Sequence, residues 1–507
     1  MVENHNLSST DEDKEAKQSR IILVAKRGLN LRVRQGAISA AEGIETNPLI
    51  ELLQSNKATI KPLFHKNEDR LKAESDSLTA ATGKEVPDLS IYYSVESPES
   101  NLEELASQLR SLDVVDTAYI KPSAKPASML LNTMTAKTEE PPTTTPNFVS
   151  RQGYLDPAPV GIDAKYAWSI AGGYGNGVNI IDIEWGWHFT HEDLRVNHGG
   201  VISGTNSSND DHGTSVIGEF GGDANNFGVT GISPEAYVST VSLETHDTSE
   251  AILIAADRLR PGDIMLLEVH RDGPASIGVG QYGYIAIEWW PDDFDAIRYA
   301  VSKGIIVVEA AGNGGQNLDD NIYNTPQAGF PTSWRNPFNP NNPTSGAILV
   351  GAGNPPSGIH GRNAQPNVGE PYADRARCYF SNYGERVDTQ GWGWEVTSTG
   401  YGDLQGGTSK DVWYTDQFSG TSSASPIIVG TLACLQGILR ANGKAPLNSS
   451  QAIKLLRSTG SPQQRGSGFT FSRNMSGTGY TQNYPERSEN QRIGNRPNLR
   501  ELIEKVL

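Results

Sequence analysis

Phe418-Ser-Gly-Thr-Ser422-Ser-Ala-Ser-Pro426 runs directly into Ile427–Leu439, an apolar stretch interrupted by Gly430, Thr431, Gln436 and Gly437. Pro426 suits the first turn of a helix, where its missing N–H would be unpaired in any case. The stretch that follows reads as a buried core helix, too short and too interrupted to cross a bilayer. A serine in front of such a helix has its hydroxyl and backbone N–H at the positive end of the helix dipole, which favours developing negative charge. Ser422 is therefore a candidate nucleophile, and a hydroxyl nucleophile needs a base.

Working outward, strand and helix patterns alternate from about residue 160 to 460. Val178–Ile183, Ala236–Leu243, Asp263–Val269, Ile305–Glu309 and Ala347–Gly351 are short β-branched runs, with helical patterns such as Ser249–Leu259 and Asp292–Lys303 between them. Near-continuous apolar strands joined by helices predict an α/β domain whose parallel sheet is covered on both faces. Asp182 closes the run Val178-Asn-Ile-Ile-Asp182, at the C-terminal end of a predicted parallel strand, where such sheets place their ligands. His212, in Asp210-Asp-His-Gly-Thr214, opens a helical stretch over Ser215–Phe220. One Asp, one His and one Ser make the minimum set for an activated hydroxyl. A lone Asp at a strand end is commonly a cap, and His-Gly-Thr alone is a weak signal. The serine motif carries the reading.

Taken in order, Asp182, His212-Gly-Thr214, Ala310-Ala-Gly-Asn313 and Gly420-Thr-Ser422-Ser-Ala-Ser-Pro426 resemble the motifs of the subtilisin-like serine proteases, the subtilases, over roughly residues 150–465. The resemblance implies a three-layer fold with a mostly parallel central sheet, and serine endopeptidase activity through an acyl-enzyme. It implies that His212 takes the proton of Ser422, that Asp182 fixes and stabilises the imidazole, and that Asn313 and the Ser422 N–H bind the oxyanion. It further implies substrate contacts at Glu268, Val269 and His270, and at Gly312. No cofactor is required for the chemistry, and structural calcium held by carboxylates and carbonyls is consistent with the family, although no ligand loop can be assigned.

Three departures from the family pattern matter. The family continues its Asp with Ser or Thr and then Gly, whereas this chain reads Asp182-Ile-Glu184-Trp-Gly-Trp187. Glu184 is expected to be a solvated carboxylate on a reshaped rim, the alternative being a group beside the triad that alters its pH profile. The bulkier segment Leu267-Glu268-Val269-His270 stands where the family has Ser-Leu-Gly, and Glu268 is a candidate for recognising a basic group on the substrate. Third, the long interval between Asn313 and Ser422, holding Trp334, Trp392 and Trp394, reads as surface insertions around the substrate sites, its aromatics being packing residues.

Ahead of this domain, residues 1–19 read as a disordered tail. Residues 20–122 give a β-α-β-β-α-β order, a ferredoxin-like unit, in which Asn101-Leu-Glu-Glu104 starts the second helix with a capping-box pattern. Residues 123–150, rich in Pro, Thr, Ser and Lys, read as an exposed linker open to proteolysis. The unit resembles the family's propeptide, an intramolecular inhibitor removed by cleavage within the linker; the peptidase domain is then 151–507.

The chain of 507 residues carries 42 Lys+Arg against 59 Asp+Glu, a net charge of −17, which argues against nucleic-acid binding. Within it, residues 201–300 hold 16 acidic and 4 basic side chains, a field that suits cationic peptides or calcium and equally a solvated face. The two cysteines, Cys378 and Cys434, exclude a disulfide scaffold and are either paired or free. The polar N-terminus lacks the apolar segment of a secretory signal, so cytoplasmic residence, or export by another route, is expected. No membrane or nucleic-acid partner is expected; the partner is a protein or peptide substrate. Gly278-Val-Gly-Gln-Tyr-Gly283 does not join a strand to a helix as a dinucleotide loop must, and no Gly-x-Ser-x-Gly elbow occurs. A maturation protease for one precursor peptide, or a non-catalytic subtilase-like binding protein, are the rival readings.

Overall fold

The computed structural model describes residues 19–507 except 35, 99–100, 129–134, 279, 363–372, 466–469, 474–479 and 484–490. The chain divides into two compact units, one of residues up to 63, 91–125 and 327–332, the other of 64–90, 126–326 and 333–507.

In the first unit the strands Thr59–Pro62, Tyr92–Glu96, Arg20–Ala25 and Val115–Lys121 lie side by side in that order, every neighbour antiparallel. Helices Asn47–Ser55 and Leu102–Arg110 bury Leu49, Leu53, Leu105 and Leu109 against Ile21, Leu23, Tyr93 and Val95. This is the split βαβ order expected. The second helix starts as its sequence predicts, with the Asn101 side chain accepting the Glu104 N–H. Helix Glu68–Thr82, between the second and third strands in sequence, was not expected and belongs to the other unit. Its apolar face is reduced to Leu71, so it lacks the stripe that marks a core helix.

The second unit is built on a seven-stranded sheet in the order Thr389–Trp392, Ile348–Gly353, Ile306–Ala310, Ile264–Leu267, Asn179–Glu184, Tyr237–Ser242, His198–Ser203, with every pairing parallel. One face, carrying Ile180, Leu266, Val308 and Val350, packs on helices Asp211–Gly221 and Ser425–Ala441 through Val216, Phe220, Ile428 and Leu432. Helices Thr248–Ala256 and Pro291–Ser302 cover the other face. The fold is thus the three-layer α/β arrangement with a parallel sheet. Its two outermost strands were not expected, because His198–Ser203 and Thr389–Trp392 are rich in Gly and polar residues. Trp392 and Trp394 are core residues rather than part of a surface insertion. Cys378 and Cys434 are both free and buried. No helix among the described residues is long and apolar enough to cross a membrane.

Candidate active site

The site lies at the C-terminal ends of the central strands. In the strand Asn179–Glu184, alternation puts Ile180, Asp182 and Glu184 on one face, the face covered by the His212 and Ser422 helices. His212 is the second residue of its helix, and Ser422 sits in the turn leading into helix Ser425–Ala441, with Pro426 in the first turn. Asn313 follows the strand Ile306–Ala310. The glycine after His212 is dictated by space: a Cβ on Gly213 would lie 2.4 Å from the Gly186 carbonyl oxygen.

His212 Nε2 is 2.9 Å from Ser422 Oγ, and its Nδ1 is 2.6 Å from Glu184 Oε2. The expected partnership of His212 with Asp182 is therefore not what the structure contains. Asp182 instead accepts the indole N–H of Trp187 at 2.7 Å through Oδ2. Glu184 is not a solvated rim residue either, at 1% exposure. The reason is positional: Glu184 is the last residue of the strand, two beyond Asp182 on the same face, and its longer side chain reaches the imidazole. The Phe418 ring meets the imidazole edge-on at 5.5 Å.

The chain's own segment occupies the cleft. The Ala127 carbonyl oxygen is 2.6 Å from Asn313 Nδ2, 3.2 Å from the Ser422 backbone N and 2.7 Å from Ser422 Oγ. The Ala127 N–H donates to the Glu268 carbonyl at 3.3 Å, and Ser128 bridges to Gly420. The linker is thus not exposed here, since Ala127 is fully buried. A segment bound through its backbone has the same polar composition as one left in water. The Asn313 amide is oriented by its Oδ1, which accepts the Thr421 N–H at 2.9 Å. Gln281 was missed by the sequence reading; it donates to the Ser128 carbonyl at 2.6 Å and accepts from Asn313 Nδ2 at 3.1 Å. It comes from the glycine-rich run set aside as a dinucleotide loop.

The expected substrate contacts divide. Glu268 meets the bound segment only through its carbonyl; its fully buried side chain contacts Ser425 Oγ at 2.6 Å and cannot read a substrate charge. Val269 is buried, and His270 Nδ1 accepts the Asn313 N–H at 3.2 Å, so His270 holds the backbone of Asn313. Gly312 holds φ +92°, and a Cβ there would lie 2.8 Å from Asn382 Nδ2, so it shapes the turn that presents Asn313.

Burial in the filled cleft lowers the His212 pKa to about 4, leaving a neutral imidazole that is free to act as a base. Burial also pushes the Asp182, Glu184, Glu219 and Glu268 carboxyls well above their ordinary range. Away from His212 and Ser422, oxygens of Asp247, Asp292 and Asp293 lie within 4.8 Å of one another. Arg271, 3.4 Å from Asp293, supplies counter-charge there.

Comparison with known proteins gives the family. The model of the subtilase family matches residues 190–472, more than half of the chain, including His212, Asn313 and Ser422. The intracellular serine protease of Paenibacillus polymyxa is 25% identical over 334 residues, covering 61% of this chain and 83% of that protein. The thermophilic serine proteinase of Bacillus sp. (strain AK1) is 28% identical over 326 residues, covering 61% of this chain and 63% of the relative. Among solved structures, fervidolysin from Fervidobacterium pennivorans aligns with TM-score 0.52 at 15% identity, over 96% of this chain and 61% of that one. The epidermin leader peptide processing serine protease from Staphylococcus aureus aligns with TM-score 0.52 at 15% identity, over 97% and 99%. These two likenesses speak for the fold. On the family match, and with Ser422 and Asn313 in hydrogen-bonding reach of one peptide carbonyl and His212 on the Ser422 hydroxyl, the chain belongs to the subtilase family of serine peptidases.

Proposed function

We propose that the chain is the zymogen of a serine endopeptidase with Ser422 as nucleophile, His212 as general base and acid, and Glu184 in the acidic position of the triad. Its first substrate is its own Ala127–Ser128 bond. The observation that carries this reading is the Ala127 carbonyl oxygen, in reach of both the Asn313 amide and the Ser422 N–H, beside Ser422 Oγ. Residues 20–122 act as the propeptide, and the segment at Ala127 fills the cleft until it is cut away.

The chemistry follows from the contacts. Ser422 Oγ adds to the Ala127 carbonyl carbon as its proton passes to His212 Nε2. Glu184, hydrogen-bonded to Nδ1–H, keeps the imidazole in the tautomer whose Nε2 is basic and stabilises the imidazolium. The oxyanion is held by the Asn313 Nδ2–H and the Ser422 N–H. Collapse of the adduct expels the Ser128 amine, which takes the proton from His212, and water then hydrolyses the acyl-enzyme with the same base. Other protein or peptide substrates bind along the same line, pairing their backbone with the Glu268 carbonyl.

N-terminal sequencing of active enzyme is expected to begin at Ser128, with the Ser422→Ala chain remaining intact. A fluorophosphonate is expected to label Ser422 only after that cut. Active enzyme that still begins at Met1, or labelling that leaves Ser422 unmodified, sinks the proposal.

A further inference from the structure

The site contains more acid than the triad uses. Glu184 Oε2 faces His212, but its Oε1 is buried and has no hydrogen-bond partner among the described residues; the same holds for Asp182 Oδ1, whose other oxygen accepts from Trp187. The two carboxyls stand two residues apart on one face of one strand, at 0% and 1% exposure. Two acceptors cannot satisfy each other, whereas one proton between them satisfies both.

The remaining groups around them are neutral. Parallel register sets Leu267 beside Ile183, which brings Glu268 alongside Glu184. Ser425 Oγ lies 2.6 Å from Glu268 Oε1 and 2.8 Å from the Thr421 carbonyl oxygen. Glu268 accepts the Ser425 hydroxyl at Oε1, its Oε2 has no hydrogen-bond partner among the described residues, and burial pushes its carboxyl well above the ordinary range, towards the neutral acid. Glu219, two turns along the helix from His212, is fully buried with neither oxygen hydrogen-bonded among the described residues, the condition of a neutral acid. Tyr401, the other titratable group near Glu184, stays un-ionised, its pKa raised by burial.

We infer that Asp182 is held as the neutral acid and donates its Oδ1 proton to Glu184 Oε1, so that a hydrogen-bonded carboxyl pair with a single negative charge backs the catalytic histidine. Asp182 is then a positioning residue, and the charge resides on the member that faces His212. Burial raises both groups, and the contact of Glu184 Oε2 with His212 Nδ1 favours the charge on Glu184, which leaves the proton to Asp182. Trp187 completes the arrangement by holding the far oxygen of Asp182.

This inference rests on the Ser422–His212–Glu184 reading, and the experiment separates the two. Asp182→Ala in the processed enzyme is expected to lower kcat about 10–100-fold at unchanged KM, the loss of one hydrogen bond to a charged group. Asp182→Asn, which keeps a neutral donor, is expected to recover to within about tenfold of wild type, with the acid limb of kcat/KM within about half a pH unit. An ionised Asp182 predicts the opposite: Asn then withdraws a negative charge from around the imidazole, and the limb falls by about a unit or more. That fall overturns the inference. A loss of about a thousandfold or more in Asp182→Asn, with Glu184→Gln still active, overturns the triad reading itself. In the uncut Ser422→Ala chain, infrared spectra at pH 8 are expected to show protonated-carboxyl absorption, one component of which disappears with Asp182→Asn. Absence of that absorption from the Ser422→Ala chain overturns the inference even if the Asn variant does not fold.

Discussion

Glu184→Gln tests the acid of the triad with almost no change of shape. In the wild type the carboxylate lies 2.6 Å from His212 Nδ1 and is almost wholly buried. When Ser422 attacks, the imidazole becomes positive, and the charge centres of the two groups are then roughly 4 Å apart. At an effective dielectric constant near 20 their attraction is about 4 kcal/mol, or about three powers of ten in rate. If the new amide turns its N–H toward Nδ1, the imidazole is also held in the wrong tautomer, a state that costs serine proteases about 10⁴ in kcat. The expected loss is therefore about 10³–10⁴ in kcat with little change in KM, because the interaction is made chiefly in the transition state. The assay has two arms: the rate at which the full-length variant cuts itself, and peptide hydrolysis by variant released from its propeptide by a trace of wild-type enzyme. A variant within about tenfold of wild type in both arms refutes the argument and returns the role to Asp182.

Two further outcomes follow from the same contacts. Asn313→Ala removes the side-chain donor to the oxyanion and should lower kcat about 10²–10³ with KM nearly unchanged; a pure KM effect would mean that the amide serves only to bind. Acid should destabilise the uncut Ser422→Ala chain in a defined window. His191 donates from Nε2 to the Trp413 carbonyl and accepts the Asp193 N–H at Nδ1, and burial holds its pKa at about 4, against about 6.5 unfolded. Between those values the unfolded chain binds the additional proton, so stability falls as pH falls, by up to about 3 kcal/mol from this residue. Urea unfolding at pH 7 and at pH 4.5 measures the fall, and His191→Gln should narrow it; an unchanged difference would place the charge elsewhere.

Much of this site was legible in the sequence because its motifs are local. Ser422, His212 and Asn313 each carry their own backbone setting, a helix start or a strand end, and such settings are written in neighbouring residues. The acid was different. Asp182 and Glu184 share one face of one strand, so periodicity cannot choose between them, and a family pattern favoured the shorter side chain. The deciding facts are long-range: how far the strand end lies from the His212 helix, and the Trp187 indole turned back onto Asp182. The one signal available was that Glu184 is nearer the end of the strand, where α/β sheets place their chemistry. Glu268 shows the same limit, since its burial is set by a neighbouring strand and by the Ser425 helix. In the first unit the core elements declared themselves by apolar spacing, whereas helix Glu68–Thr82, whose only buried apolar residue is Leu71, did not.

Downstream of the proposed cut, Lys137 is also held. The Lys137 N–H donates to the Gly402 carbonyl and its own carbonyl accepts from Gly407, at 2.9 and 2.8 Å, nine residues downstream of Ser128. When the Ala127–Ser128 bond opens, the departing amine is therefore not a diffusing product. It remains on a short tether, at the millimolar effective concentration such a linkage provides, beside the ester it has just left. Re-formation of the peptide bond competes with water until Ser128 leaves its contacts with Gln281 and Gly420. On the proposed self-cleavage, the first turnover is thus reversible at its midpoint, and the retreat of a new chain end, rather than the breaking of a bond, is what would commit the chain to activity.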